Sequence, residues 1–556
     1  MKIPRPLDPR PSDPPASAVP PAEPLSSSWL FHGLVLVFCL WTLSLPLFPT
    51  QDGPMHKYYV HAIASLLSGS HDYSVYRIRH PIPPYAIHYA LLLVLTRVVS
   101  YDLAEKLFVC LILLCTAYGF RYSARSLGPS GGMLSLCMAP LLLHWSLTMG
   151  FLNYSLAIGL FFLAVGLWLR ASVGRRGLWP AYVFAVAILT LTHPVPLLLL
   201  IAFCALDTAI RLWQESAGGR LRRRGWQLMG LAAACLAFLY PLASADRSRS
   251  VSNLAAAGLH KDAFLSSLAL AGVSPFDTRS MNPLIDLYRV GLYLMLLGSL
   301  ALAAAGFGRR WRSRQLRPGD SLLIGSAALL LAIPILPPSM NGSDYFAPRL
   351  MIFGWLGALA AASGYEEPGP SGRRPLRFVP LFATIMVALT LLPAERFFRP
   401  VARQLAELEA QPLPGHAEGL ALLGKGMLGV ARRQHQLGFN PYLWSGALPL
   451  LRSGDVMLNS PWLDLTIMPV EAAPRGDLLV ERMESPQEAE RRINGNVDLP
   501  ALPDAIRGPL LAAARVIVFV GAPQEIAEGL APLTGIRQAA LYACSSHGWY
   551  LACTRP

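Results

Sequence analysis

The segment Thr50-Gln51-Asp52-Gly53-Pro54-Met55-His56-Lys57-Tyr58-Tyr59 holds the residues best suited to chemistry. Asp52 stands where a long apolar block, Trp29 to Phe48, gives out. Gly53-Pro54 forces a turn, and the spacing predicts an amphipathic helix from there to Leu67. A carboxylate held beside a bilayer is partly desolvated, so its proton affinity rises toward that of a useful general base. The plain alternative is that Asp52 only caps the helix it precedes. Other ionisable or strongly polar residues stand at the ends of later apolar blocks: Arg77, Arg79 and His80, then Asn153, His193, Asp344 and Arg349. An ionisable group at the end of a membrane span is a site candidate by default.

Whether such distant residues can meet depends on the elements that carry them. The chain has 556 residues, of which 53% are hydrophobic and only 14% charged. A soluble chain normally carries about 25% charge. The apolar residues come in blocks close to the length a helix needs to cross about 30 Å of hydrocarbon. The blocks are 29–48, 103–120, 130–148, 153–170, 178–192, 194–210, 226–243, 287–307, 321–336, 350–363 and 378–393. The first is longer than a signal-peptide core and has no small-residue cleavage site after it, so it reads as a retained span. Residues 1–28, rich in Pro and Ser, read as a disordered cytoplasmic tail. The reading is an α-helical polytopic membrane protein with about eleven spanning helices. A C-terminal α/β domain follows it.

Tyr85 to Val99 is the ambiguous stretch. It is short, contains His88 and Arg97, and begins among Pro81, Pro83 and Pro84. If it spans, every later loop inverts. The arginines decide. With 85–99 lying in the interface, one face collects Arg121 and Arg125, Arg170 with Arg175 and Arg176, Arg220 with Arg222 to Arg224, the run Arg309 to Arg317, and Arg373, Arg374 and Arg377. The opposite turns at 149–152 and 192–195 hold neither Lys nor Arg. This is the positive-inside pattern of a bacterial inner-membrane protein. It puts the N-terminus in the cytoplasm, makes 49–102 a large first outer loop, and places the C-terminus in the periplasm. It also accounts for the net charge of +14 without nucleic acid.

Residues 394–556 differ from the rest, because their apolar runs are short. Arg515 to Gly521 reads as a buried strand, Pro523 to Leu530 as a helix, and Leu541–Cys544 with Trp549–Cys553 as a hairpin. Six of the eight cysteines lie in membrane blocks, where they serve as small apolar residues. Cys544 and Cys553 are the two in the outer domain, and their spacing suits a disulfide across the hairpin in an oxidising periplasm.

These features together resemble the GT-C glycosyltransferases, multispanning enzymes that take sugar from a polyprenyl-phosphate carrier at the outer membrane face. The resemblance covers roughly 29–393. Asp52 matches the acid that follows the first helix in that family. His80-Pro81-Ile82-Pro83-Pro84-Tyr85, followed by an apolar interfacial helix, is similar to the Pro-rich element of the family's first loop. Gly150-Phe151-Leu152-Asn153-Tyr154 stands where many members begin the fourth span. Thr192-His193-Pro194 and Ala347-Pro348-Arg349 look like motifs of uncharacterised bacterial members. One departure stands out: many members place a second acid at the start of the fourth span, where this chain has Asn153. That departure weakens the case for paired carboxylates or a metal: no cofactor is indicated, and a divalent metal stays an open alternative.

The resemblance implies Asp52 as general base and gives each other residue a second reading. His56, one turn on, either bonds Asp52 or a sugar hydroxyl, or faces the headgroups. His80 binds substrate or shapes its turn. Asn153 binds substrate or caps the fourth span. His193 contacts ligand or is a plain loop residue. Arg349 either snorkels to lipid phosphate or grips the carrier phosphate with its planar fork. Arg79 and Arg279 are weaker versions of the same idea. Asn341-Gly342-Ser343 matches a glycosylation acceptor, a pattern common by chance. There is no Walker loop, dinucleotide fingerprint, His-Glu-x-x-His or Cys-x-x-Cys, which suits a lipid-linked donor. The implied function is sugar transfer from such a donor to a glycan, lipid or protein acceptor. The rival is a flippase, or a non-catalytic part of cell-envelope polysaccharide assembly. A transporter would show broken helices and polar groups near the bilayer midplane, whereas here the polar residues gather at one face.

Overall fold

The computed structural model describes residues 25–411 except 70–75, 79–84, 174, 215–219, 245–272, 278–279, 314, 337–338, 341–342, 345 and 365–374. In the C-terminal part it describes 418–423, 441–442, 445, 447–453, 456–457, 470–472, 515–527 and 542–555. Arg79, His80, Arg279, Asn341, most of the N-terminal tail and the prolines before Tyr85 lie outside the described residues.

The apolar blocks become helices. In chain order these are α1 (Leu25–Ser44), α2 (Gly53–Ser68), α3 (Ala86–Leu95) and α4 (Tyr101–Leu127). Next come α5 (Leu152–Ser172), α6 (Trp179–Thr192), α7 (Pro194–Gln214) and α8 (Arg220–Ser244). Then follow α9 (Pro283–Arg312), α10 (Pro318–Ala332), α11 (Phe346–Ala362) and α12 (Val379–Glu409). Among the described residues, 7 helical stretches are long and apolar enough to cross a bilayer, and shorter apolar helices occupy the remaining expected blocks. The protein is a multi-pass membrane protein.

Two details bear on the site. α3 has 10 residues, which at about 1.5 Å per residue cannot cross about 30 Å of hydrocarbon. The stretch 85–99 therefore holds no helix long enough to span by itself. The block at 130–148, expected as one span, is broken: a turn of helix at Gly131–Leu134, a 3-10 segment at Ser135–Leu141 and another turn at Trp145–Thr148. Pro140 sits inside the 3-10 segment. It has no N–H to give, and its ring clashes with the carbonyl four residues back, so a regular α-helix cannot pass through it.

α12 runs without a break through the expected domain boundary at 393 as far as Glu409. Its 31 residues reach about 46 Å, well beyond the hydrocarbon core. Its distal half is fastened to the end of α1. Trp41 donates to Glu395 at 3.0 Å, and Arg399 donates to the Ser44 carbonyl at 3.0 Å. The C-terminal part forms a five-stranded sheet of β2 (Glu418–Leu423), β3 (Val456–Met457), β5 (Val516–Val520), β6 (Ala543–His547) and β7 (Tyr550–Thr554). The strand order is β3-β2-β5-β7-β6; β2 is parallel to β3 and β5, and the β5–β7 and β7–β6 pairs are antiparallel. The expected hairpin is thus present, with Cys544 and Cys553 as register partners bonded through sulfur. β1 (Tyr76–Ile78), in the first loop, pairs antiparallel with β4 (Val470–Ala472) of the C-terminal part. The two regions therefore share a ladder.

Lys57 draws these pieces together. Its side chain is buried, bonds Asp102, and lies 3.6 Å from both Glu105 and Glu409. Burial opposes its charge, but the carboxylates outweigh burial and hold the amine protonated well above its ordinary value. One cation thereby clamps α2 to α4 and to the far end of α12. Lys57→Met would leave buried carboxylates without their counter-charge, at a cost of about 3–5 kcal/mol. The expected result is a marked fall in the thermal unfolding midpoint of the detergent-purified protein. Asp286→Asn, which breaks a more exposed pair with Arg289, should leave the midpoint nearly unchanged.

Candidate active site

The site is built around one backbone contact. The segment before α2 lies against the turn before α5: Gln51 N–H donates to the Thr148 carbonyl and Asp52 N–H to the Met149 carbonyl, both at 3.1 Å. The next residue, Gly150, has φ +87, a left-handed conformation that side-chain-bearing residues rarely adopt. A Cβ there would also come within 2.8 Å of the Asp52 Cβ. Only glycine lets the chain pass this close to the acid.

Asp52 is buried and begins α2, but its side chain makes no capping bond to that helix. The capping role that the sequence allowed is not the one adopted. Its backbone carbonyl instead accepts the N–H of His56 at 3.0 Å, starting the helix. His56 does not face the headgroups. Its Nε2–H donates to the Gly150 carbonyl at 2.8 Å, and its Nδ1 accepts from the Tyr89 hydroxyl at 3.1 Å. His88 Nδ1–H donates to the Tyr85 carbonyl at 3.1 Å, and its Nε2 lies 3.2 Å from His56 Nδ1. Both bonded carbonyls are acceptors, which fixes the tautomers of the two neutral rings. Burial pushes His56 down to about 4, against the pull of the Gly150 carbonyl. Burial and the neighbouring His56 carry His88 well below the ordinary range. Tyr89 is shifted up by burial, then by Tyr59 and Asp52, so it stays a hydroxyl and donates.

Asn153 does not cap the fourth span. Phe151 holds the cap position of α5, and the Asn153 amide donates to the Tyr85 carbonyl at 2.9 Å. It fastens the start of α3 to α5. The Tyr85 ring packs edge-on against His193 at 4.8 Å between centroids, and Tyr154 does the same from the other side at 4.9 Å. His193 is 2% exposed. Its Nδ1 accepts the Val195 N–H at 3.2 Å, so the neutral ring carries its proton on Nε2. That buried Nε2 meets no acceptor among the described residues, an arrangement native proteins keep where a ligand or water completes it. Burial, and then the charge of Arg349, hold the His193 ring neutral. Arg349 lies in the first turn of α11. Its guanidinium stacks 3.7 Å above the Phe151 ring, and its backbone carbonyl accepts the Tyr154 hydroxyl at 2.6 Å. Tyr85 is pushed up to about 12 by burial, with Arg349 pulling the other way.

Asp52 therefore touches Gly150 and Arg349 touches Phe151, the next residue along. The structure brings together Asp52, His56, Asn153, His193 and Arg349. Arg77, on β1, is a register partner of Glu471, and Asp344 of Ser339. Tyr85, His88, Tyr89, Phe151 and Tyr154 were given no role from the sequence, although all but Tyr89 stand in segments named there. His88 carried a usable signal, since an ionisable ring in an apolar stretch marks a site. The aromatics carried none, because Tyr and Phe are ordinary at span ends. Among the described residues, no group of three or more His, Cys, Asp or Glu is arranged to hold a metal ion.

No family model matches the sequence, and no curated protein matches it. Solved structures do. ArnT from Cupriavidus metallidurans bound to undecaprenyl phosphate is 15% identical with TM-score 0.51, over 96% of this chain and 98% of that one. The apo state of the same protein matches at TM-score 0.42 and 15% identity, over 95% and 98%. An Archaeoglobus fulgidus oligosaccharyltransferase tethered with an acceptor peptide matches at TM-score 0.41 and 10% identity, over 95% of this chain and 74% of that one. The first match, spanning nearly all of both chains, shows a GT-C-like fold.

The neutral histidines give the site a pH signature. A ring held near 4 when folded but near 6.5 when unfolded binds a proton preferentially in the unfolded chain between those values. Its contribution is fully present above about 6.5 and is lost as pH falls toward 4. The unfolding midpoint should therefore drop steadily from pH 7 to 5, where most carboxylates are still ionised. His56→Gln should remove about one proton, or about 1.4 kcal/mol per pH unit, from that slope. An unchanged slope in the variant would show that His56 is charged in the folded protein.

Proposed function

We propose that the protein is an inverting glycosyltransferase of the outer face of the bacterial inner membrane, moving a sugar from a polyprenyl-phosphate-linked donor to a glycan, lipid or protein acceptor. The observation that carries the reading is the placement of Asp52 and Arg349 on neighbouring residues of one turn, Gly150-Phe151. In this reading a base and a phosphate-binding cation are both tied to that turn. The arginines at the opposite helix ends support the reading of the turn's end of the bundle as the outer one. The ArnT structure with undecaprenyl phosphate supports a polyprenyl phosphate as the donor's carrier.

In this reading the Asp52 carboxylate takes the proton of an acceptor hydroxyl as its oxygen attacks the anomeric carbon. The bond from that carbon to the phosphate oxygen breaks, and the electron pair leaves with the polyprenyl phosphate. Arg349 meets the developing negative charge with a planar pair of donors. Stacking on Phe151 holds the guanidinium in place before substrate arrives. The His193 Nε2–H is free to donate to a sugar hydroxyl or a phosphate oxygen. His56 and His88 position: their bonds to the Gly150 and Tyr85 carbonyls set the distance between α2, α3 and the turn that carries Asp52. The sequence also assigns donor binding to Arg79 and His80, which lie outside the described residues, and in this reading 85–99 lines the route of the lipid chain. No metal has a role in this scheme.

Asp52→Asn keeps the shape and removes the base, so transfer should fall by about 10²–10⁴-fold while the protein still inserts. Arg349→Ala should instead weaken use of the donor, with KM rising and kcat falling. Both are read in membranes carrying a labelled polyprenyl-phosphate sugar pool, with equal amounts of folded variant. Normal transfer by Asp52→Asn would overturn the assignment of the base.

A further inference from the structure

Tyr85, Tyr89 and Tyr154 all reach the candidate site, and two of them have their hydroxyls engaged. Tyr89 donates to His56 at 3.1 Å, and Tyr154 donates to the Arg349 carbonyl at 2.6 Å. The Tyr85 hydroxyl meets no hydrogen-bond partner among the described residues. Yet Tyr85 itself is firmly held. Its carbonyl accepts the Nδ1–H of His88 at 3.1 Å and the amide of Asn153 at 2.9 Å, which uses both lone pairs. Its ring is pinned edge-on against His193, with centroids 4.8 Å apart. With backbone and ring fixed, the hydroxyl can do little but turn about its own C–O bond. The side chain is partly buried, and a buried tyrosine normally finds a partner for its hydroxyl. An unengaged hydroxyl on a fixed ring has the form of a preorganised donor.

Its surroundings select the ligand. Tyr154 packs on the other side of His193 at 4.9 Å, and the Arg349 guanidinium carbon lies 5.9 Å from the Tyr154 ring centre. The Arg349 charge also reaches the Tyr85 hydroxyl, where it opposes the effect of burial. The polar groups gathered around Tyr154 and His193 are therefore a guanidinium, which has no acceptor, the buried Nε2–H of His193, and a phenol. A sugar hydroxyl needs an acceptor as well as a donor. Donors around a positive charge suit a group with several acceptor oxygens and a negative charge. A phosphate ester is such a group.

We propose that the Tyr85 hydroxyl is a third hydrogen-bond donor to the phosphate of the lipid carrier, acting beside Arg349 and His193. The inference rests on the sugar-transfer reading and adds a catalytic residue to it. As the bond from the anomeric carbon to the phosphate oxygen breaks, its electron pair goes to that oxygen. The phenol donates to the phosphate and keeps its proton. The bonds from His88 and Asn153 to the Tyr85 carbonyl fix where the hydroxyl stands, so those two are positioning residues.

The test uses the full-length protein in detergent, with undecaprenyl phosphate as probe and undecaprenol as its uncharged control. Wild type should prefer the phosphate. Tyr85→Phe keeps the ring and the backbone bonds and removes only the hydroxyl. It should weaken undecaprenyl phosphate about tenfold to a hundredfold, with undecaprenol binding unchanged. In the labelled-sugar assay, kcat should fall with it. A second measurement avoids any dependence on that variant folding. With 3-fluorotyrosine placed at position 85, the fluorine resonance should move on adding the phosphate and stay still on adding the alcohol. Equal weakening of both lipids would overturn the assignment, because it would make Tyr85 a packing residue only. Unchanged phosphate binding and transfer by Tyr85→Phe, or a fluorine resonance that ignores the phosphate, would overturn it too and leave the sugar-transfer reading standing. A wild type that binds the two lipids equally would instead remove that reading, and this inference with it.

Discussion

The candidate site depends on the close approach of two backbones at Gly150. A left-handed φ and a missing Cβ let residues 148–150 lie directly against 51–52, joining the start of α2 to the start of α5. The other features follow from that contact. Asp52 is held by its own N–H rather than by a cap. The Gly150 carbonyl is turned toward His56. Phe151 is carried round to underlie Arg349, and Tyr154, one turn into α5, reaches both His193 and the Arg349 carbonyl. Any side chain at 150 would push the acid and the guanidinium apart at once.

A second constraint keeps the first in register. α2 has its first residues in the site and Lys57 in a buried set of carboxylates shared with α4 and α12. The histidine that bonds Gly150 and the lysine that bonds Asp102 are neighbours in sequence. The C-terminal part reaches the same place by two routes: the extended helix α12 and the β1–β4 pair. A motion of that part relative to the bundle would be felt at His56. This gives a physical reason for the C-terminal part to be continuous with a membrane helix.

Much of the architecture was legible in the sequence, because bilayer thickness and arginine placement are strong constraints. The apolar helices, the strand Val516–Val520 and the cysteine-bearing hairpin all follow from block length and alternation. The residues at the ends of the blocks were legible as a set. Their roles were not. Asp52 and Asn153 both suit a cap by type and position, and neither caps, because the Gly150 contact holds one and the Tyr85 carbonyl attracts the other. The break at Pro140 was hidden inside a block of suitable length. His88 was masked by the helix that carries it, and the aromatic packing around His193 and Arg349 joins residues too far apart in the chain for spacing to report.

The central claim is that a lipid-linked phosphate sits between Arg349 and His193, beside Asp52. Photo-crosslinking tests it most directly, using a polyprenyl phosphate with a diazirine in the first isoprene units and peptide mass spectrometry of the adduct. The account predicts labelling of the Phe151–Tyr154 turn and the residues next to His193. That labelling should be competed away by unlabelled polyprenyl phosphate and strongly reduced in Arg349→Ala. Labelling confined to the arginine-rich end of the bundle, or equal labelling in Arg349→Ala, would contradict it.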